Sequence, residues 1–349
     1  MLVGIHKNPY GKFGEYLKRY EDILRHNDID HIRLDINRPD FWKLVSKLDL
    51  FIFRWRHIDD HHQLAKTIIP IIEKEMRIKC FPNMNTCWHF DDKIRQYYLL
   101  KYHGFPVVES WIFWNKKEAI HWVENAVFPL VFKLKGGAGS ANVILVKTKS
   151  QAKKLINRMF SRGILSSKIP GFGNVRFIDF NLYKTIHHWG GNILRQLRDE
   201  DISPFWQIHK NYVLFQKFLD KNNFDTRVTT IGKRAFAFRR FSRCKDFRSS
   251  GSGKIDYNVE EIDRVFVKKS FEITNKMKFQ SMAYDFLYNE NCEPELSEIS
   301  YTYADVAVRN CLGYWDSKFK WHAGHYWPQY FHLMDALNLP DLKQPEMEL

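Results

Sequence analysis

Three short apolar runs near the N-terminus, Val3-Gly-Ile-His6, His31-Ile-Arg-Leu-Asp-Ile36 and Leu48-Asp-Leu-Phe-Ile-Phe53, alternate with stretches of helical periodicity near residues 13 to 26, 39 to 47 and 60 to 76. Strands separated by helices of this length cross over rather than fold back as hairpins, so they predict βαβ units and a parallel sheet. The fold class expected at the start of the chain is α/β. In open sheets of this kind ligands sit beyond the C-terminal ends of the strands. The loops Lys7-Asn-Pro-Tyr-Gly11 and Arg54-Trp-Arg-His57 occupy those positions, which makes Arg54 and Arg56 candidate substrate contacts, with a structural ion pair or a solvated loop as the alternative.

Further along, Val131-Phe-Lys-Leu reads as a strand and Asn142-Val-Ile-Leu-Val146 as the next, joined by a run containing Gly136, Gly137, Gly139 and Ser140. Glycines let successive backbone N–H groups turn toward one anion, so this loop can close over phosphates. It is not a Walker A loop, since no lysine precedes Ser140 and no helix follows directly. An ordinary glycine-rich hairpin is the competing reading.

Met282-Ala-Tyr-Asp-Phe-Leu-Tyr288 and Pro294-Glu-Leu-Ser-Glu-Ile-Ser300 predict two strands of a hairpin, with Asn289 to Glu293 as its polar loop. Such a hairpin sets Asp285 beside Glu298 and turns Ser300 to the face of Glu298. Magnesium takes hard oxygen ligands and is usually held by one or two carboxylates together with substrate phosphates, so the pair suits a nucleotide-bound metal.

Taken in order, these segments resemble the ATP-grasp superfamily from about Asn83 to Tyr301. The stretch Asp92-Lys93…Gln96…Leu99-Leu100…Gly104-Phe-Pro106 is similar to the family's entry into its small ATP-binding subdomain, and Pro129-Leu-Val-Phe-Lys133 to its second phosphate lysine. The resemblance implies ATP and Mg2+ as cofactors. It implies phosphate contacts from Lys93, Lys133 and Lys135, a flap from Gly136 to Ser140, adenine reading at Gln216-Lys217-Phe218-Leu219, and a ribose contact at Asp225. The metal ligands it implies are Asp285, Glu298 and Ser300. Phe224-Asp-Thr-Arg227, Arg239-Arg240 and Asp246-Phe-Arg248 look like the branch containing glutathione synthetases and ribosomal-protein glutamate ligases, which makes Arg227, Arg239 and Arg248 candidate catalytic arginines. One departure stands out: the family's Glu-x-Asn, followed by Ser-Pro-Gly, is here Glu298-Ile-Ser300-Tyr-Thr-Tyr.

The implied organisation is a pre-ATP-grasp domain over 1–82, a small ATP-binding subdomain over 83–215 with an irregular insertion at 161–208, and a large subdomain over 216–349. The last ends in the Trp- and His-rich run Gly313 to Gln329, expected as an aromatic cap and loosely similar to tails of ATP-grasp proteins of surface-polysaccharide synthesis. The activity implied is amide formation from a carboxylate and an amine through an acyl phosphate, with an acidic small molecule or glycan precursor as substrate. A small-molecule kinase and a non-catalytic nucleotide-binding protein are the alternatives.

Composition narrows the setting. At 349 residues with 44% hydrophobic side chains, the chain can build more than one core. Nowhere do about eighteen uninterrupted apolar residues occur, so no membrane span is expected. Five cysteines without a C-x-x-C pair point to reduced thiols and a cytoplasmic setting. The net charge of +14 concentrates anions without choosing among them. Nucleic acid is disfavoured as a partner, because the arginines gather around the expected phosphate site rather than in a basic arm. A homo-oligomer is left open.

Overall fold

The computed structural model describes residues 1–7, 14–55, 57, 59–137, 142–166, 207–242 and 253–347. Its first layer holds β1 (Leu2–His6), α1 (Glu15–His26), β2 (Asp30–Leu34), α2 (Phe41–Val45), β3 (Leu50–Phe53), α3 (Asp59–Pro70) and β4 (Lys79–Phe81). The four strands run parallel in the order β2-β1-β3-β4. Each helix matches one of the three expected stretches, although the last turns π-helical over Ile71–Glu75.

A second unit follows: α4 (Met84–Cys87), α5 (Lys93–Tyr102), β5 (Ser110–Phe113), α6 (Lys116–Val123), β6 (Leu130–Lys133), β7 (Val143–Val146), α7 (Lys149–Met159), β8 (Ile164–Ser166), β9 (Gln207–His209) and β10 (Val213–Lys217). Here β5, β10, β6 and β7 make an antiparallel sheet in that order. Its helices begin on side-chain caps, Asp92 accepting from Arg95 N, Asn115 from Lys117 N and Thr148 from Gln151 N. A cap of this kind stabilises a helix by about 1 kcal/mol. Leu155, Ile156 and Met159 of α7 fill the space under Phe132, Leu214 and Phe215 of the sheet.

The third unit contains β11 (Phe224–Ile231), β12 (Arg234–Phe241), β13 (Ile255–Asp256), α8 (Arg264–Met277), β14 (Ser281–Tyr288), β15 (Pro294–Ser300), α9 (Asp305–Arg309), β16 (Gly313–Asp316), β17 (Trp321–Ala323) and α10 (Pro328–Leu337). Its sheet is antiparallel in the order β15-β14-β11-β12-β16-β17, with β13 alongside β12. The aromatic tail does more than cover this sheet. Trp315 and Trp321 lie on strands that extend it, while Leu333 and Leu337 of α10 share a core with Val3, Ile5 and Tyr20 of the first layer. A separate core joins Phe51, Phe53 and Trp55 to Val228, Tyr284 and Phe286, so the first and third units are fused by apolar burial. Among the described residues no helix is long and apolar enough to cross a membrane.

Candidate active site

The site lies where α5 and the end of β6 meet β15. Lys133 closes β6 and Lys93 opens α5, and the two strands of chain are tied by Lys93 N donating to Lys135 O at 2.8 Å. Gly137 adopts φ +102°, a conformation that favours glycine. Its N–H donates to Asp91 Oδ1 at 2.8 Å, and its carbonyl accepts from Lys93 Nζ at 3.0 Å. Lys93 Nζ also sits 3.1 Å from Glu298 Oε1. Burial works against the Lys93 charge, but Glu298 and Asp91 outweigh it and hold the ammonium above its ordinary range.

Lys133 has the opposite balance. Its side chain is buried, and among the described residues no carboxylate stands within ion-pairing distance. Burial brings its ammonium down to about 8, against the pull of Glu298 and Asp285 and with the help of Lys93. A buried cation short of counter-charge is a ready partner for an anion.

The acidic wall comes from strand register. Asp285 lies directly opposite Glu298 on one side and Arg227 on the other, with a bulge after Asp285. Arg227 binds Asp285 with both arms, at 2.7 and 2.8 Å, and Arg240 reaches it at 2.8 Å while binding Asp225 at 2.6 and 2.7 Å. Burial alone would raise the Asp285 carboxyl, but the two guanidiniums hold it well below the usual carboxylate range. Asp225 goes the other way, pushed up by burial and by the charge of Asp285 despite Arg240. Asp285 and Glu298 are hard oxygen donors on adjacent strands, which fits a small divalent cation, although both Asp285 oxygens are engaged by arginine.

Between these walls runs a crevice lined by Lys93, Gln96, Ser110, Lys133, Gln216 and Leu296 among others. Gln216 Nε2 donates to Ser110 Oγ at 3.2 Å, and Lys217 N to Glu109 O at 2.8 Å. The Lys217 side chain points away to Glu290, and Leu219 is buried where the second unit passes into the third.

The structure thus brings together Lys93, Lys133, Gly136, Gly137, Gln216, Arg227, Asp285 and Glu298. Ser300 lies two residues past Glu298, and its hydroxyl donates to Thr302 O at 2.7 Å. Three of the expected residues are engaged elsewhere. Arg239 is turned to the opposite face of β12, where Asp256 and Glu261 bind it, because alternate residues of a strand face opposite ways; Arg240 is the one that shares the face of Asp225 and Asp285. Asp225 does not face outward for a ribose, since Arg240 occupies both its oxygens. Lys135 lies over the Tyr212 ring, 5.7 Å from its centroid, with its backbone N–H on the Tyr212 hydroxyl. Gly139, Ser140, Arg248 and Arg56 lie outside the described residues, as does most of the expected 161–208 insertion.

Asp91 was not expected from the sequence. Its buried carboxylate lies 3.0 Å from His57 Nδ1 and 3.1 Å from His62 Nε2, and His62 Nδ1 accepts from Trp55 Nε1 at 2.9 Å. The only available signal was its position beside Asp92-Lys93. Burial disfavours its charge, yet the two imidazoles and Lys93 keep its carboxyl far below the normal range.

No protein-family profile matches the sequence, and no curated protein matches it either. Solved structures do. The chain superposes on the D-cycloserine synthetase DcsG with a TM-score of 0.57 at 12% identity, covering 97% of this chain and 100% of that one. A biotin carboxylase–βγ-ATP complex from Campylobacter jejuni gives 0.58 at 10% identity, over 98% of this chain and 72% of that one. A RimK domain ATP-grasp protein from Sphaerobacter thermophilus gives 0.50 at 10% identity, over 86% and 90%. The chain has the ATP-grasp fold. Its parallel first layer, antiparallel small sheet and large antiparallel sheet are consistent with that fold.

Proposed function

We propose that the chain is a magnesium-dependent ATP-grasp ligase that joins a carboxylate to an amine. The observation that carries this reading is the pairing of two walls: Lys133, buried and without a carboxylate partner among the described residues, lies in the field of the cross-strand carboxylates Asp285 and Glu298, and Lys93 pairs with Glu298. That polarity suits a triphosphate on the lysine wall and a cation on the acidic wall. Asp285 and Glu298, with Ser300, would hold magnesium, which supplies positive charge against the phosphoryl group.

The chain's own work is charge placement and exclusion of water. A carboxylate oxygen attacks the γ-phosphorus, the bond to the ADP oxygen breaks, and ADP leaves. The amine nitrogen then attacks the acyl carbon, expels inorganic phosphate and loses a proton. Lys93 and Lys133 offset charge on the transferring group, and Arg227 stands next to it at Asp285. The loop beginning at Gly136-Gly137 would cover the acyl phosphate, which water would otherwise hydrolyse. The net charge of +14 favours an acidic substrate, uronic acids of glycan precursors included, and a cytosolic setting would supply the ATP.

The test is trapping. With ATP, magnesium and a panel of small acids, hydroxylamine in place of the amine should yield a hydroxamate and ADP in equal amounts. Glu298→Gln should lower that rate by roughly 100-fold or more with the fold retained. ADP formed with a stable phosphoester and no hydroxamate would replace the ligase with a kinase.

A further inference from the structure

Two adjoining cavities lie outside the site above, where β4, the edge strand of the first layer, meets α10. The first, of about 450 Å³, is lined by Leu50 at the start of β3, Arg77 and Ile78 just before β4, and Lys79 and Cys80 within it. The second, of about 400 Å³, is lined by Phe81, His332 and the β11–β12 turn from Gly232 to Arg234. Gln280, Asp335 and Ala336 line both, so the two cavities share a wall.

Both are remote from the lysine and acidic walls. Open sheets take their ligands at the C-terminal ends of the strands, whereas Leu50 and Lys79 begin β3 and β4. On the large sheet Gly232 N donates to Gln280 O at 3.0 Å, and Arg227 lies opposite Asp285 roughly 17 Å further along the same two strands.

The lining is rich in unmatched positive charge. Arg77, Lys79, Lys233 and Arg234 stand against two acids, Glu73 and Asp335. Both acids are engaged: Glu73 Oε2 accepts from Met84 N at 2.6 Å, and Arg234 holds Asp335 with 3.0 Å to each oxygen. Arg77, Lys79 and Lys233 have no carboxylate within ion-pairing distance among the described residues, and Lys79 Nζ reaches a backbone carbonyl, Ala336 O, at 3.5 Å. Asn83, on the wall of the first cavity, caps α4 with its Oδ1 on Thr86 N at 3.0 Å, which leaves its NH2 as a further donor. Arg77 is presented by unusual backbone: it follows the π-helical turn Ile71–Glu75 and takes φ +58°, a region that few non-glycine residues occupy.

The rest of the lining is apolar, with Leu50, Ile78 and Ala336 in the first cavity and Phe81 beside the His332 ring in the second. His332 offers its ring face alone, since Tyr20 and Tyr303 take both its nitrogens. Sites for small molecules combine such an apolar lining with a few placed polar groups, in volumes of this size. Two cations and an amide donor in one cavity match a head group with nearly two negative charges and several acceptor oxygens, as a phosphate monoester has, better than a single carboxylate.

We propose that these cavities form a second ligand site, separate from the nucleotide crevice, for a small phosphate monoester. Arg77, Lys79 and the Asn83 amide hold the phosphate in the first cavity, and the organic part extends past Ala336 toward Phe81 and His332 in the second.

The experiment is calorimetric titration of the full chain with phenyl phosphate, inorganic phosphate and benzoate, each in the presence of a saturating non-hydrolysable ATP analogue that keeps the nucleotide crevice filled. Phenyl phosphate should bind about tenfold or more tighter than either of the others. Arg77→Asn, which removes the charge with a residue that tolerates positive φ, and Lys79→Gln should each weaken it about tenfold while the analogue binds as before. Both side chains are exposed, so neither change disturbs a core. No binding of phenyl phosphate, binding that the analogue displaces, equal binding to wild type and both variants, or benzoate binding as tightly would each overturn the proposal.

Discussion

Two charged regions of this molecule are built on opposite principles. On the large sheet, Asp225, Arg227, Arg240 and Asp285 form a closed set in which each carboxylate is bound by a guanidinium fork. Across the crevice Lys133, in the first layer Arg54 and in the third unit Arg309 are buried or half-buried cations with no carboxylate partner among the described residues. Folding has spent its counter-ions on the first region and withheld them from the second. A buried pair that satisfies itself is framework; a buried cation that does not is kept for something that arrives later.

If the closed set is framework, breaking it should cost stability first. Arg240 is buried between two acids, and Arg240→Met strands Asp225 and leaves Asp285 with Arg227 alone. The expected loss is about 3–5 kcal/mol, read from urea unfolding at an unchanged m-value. Adding Asp225→Asn should return part of that loss, since it removes the stranded charge. A loss below about 1 kcal/mol would mean that the pair is solvated and the comparison is wrong.

The open region should respond to pH instead. Lys133 sits at about 8, below the ordinary lysine range, because burial disfavours its charge. Below that value it is already cationic and binds a triphosphate without taking up a proton. Above it, binding must first recharge the ammonium, so ATP affinity should fall as pH rises through about 8, with proton uptake on binding. The same depression means that the folded chain holds fewer protons than the unfolded one between about 8 and the ordinary lysine value, so stability gains from this group as pH rises there. Lys133→Met should weaken ATP by about tenfold at neutral pH and remove the proton uptake. Calorimetry in buffers of different ionisation enthalpy measures both, and uptake that persists in Lys133→Met would assign the titration to another group.

How much of this was written in the chain follows from the range of each interaction. Strand and helix periodicity located the parallel layer, the glycine hairpin and the Asp285–Glu298 hairpin, because each depends on neighbours in sequence. Strand alternation also carried the answer for Arg239 and Arg240, since Asp225 and Arg227 on β11 fix which β12 residue shares their face. What sequence could not reach were pairings across the whole chain, such as Arg19 with Asp305 or Tyr20 with His332 at 2.7 Å, which are made only once α9 and α10 meet α1. The same holds for Asp91, whose two histidines come from the other layer.

Asp91 also tests the boundary between the two regions, and its effect should be the smallest. It is as buried and as well bonded as Asp285, but its partners belong to the first layer and to the glycine loop, so it latches that loop through Gly137 N. Asp91 sits at φ +53°, where asparagine is among the best tolerated non-glycine residues, so Asp91→Asn changes charge with little backbone strain. The amide still accepts one hydrogen bond from Gly137 but puts an NH2 donor where the second carboxylate oxygen accepted from His62 Nε2. The expected result is faster amide exchange at Gly137, a stability loss of about 1 kcal/mol, and a rise of a few-fold in the KM for ATP at nearly constant kcat. Exchange at Gly137 is the deciding measurement, because a purely structural role would lower stability while leaving the loop as protected as before.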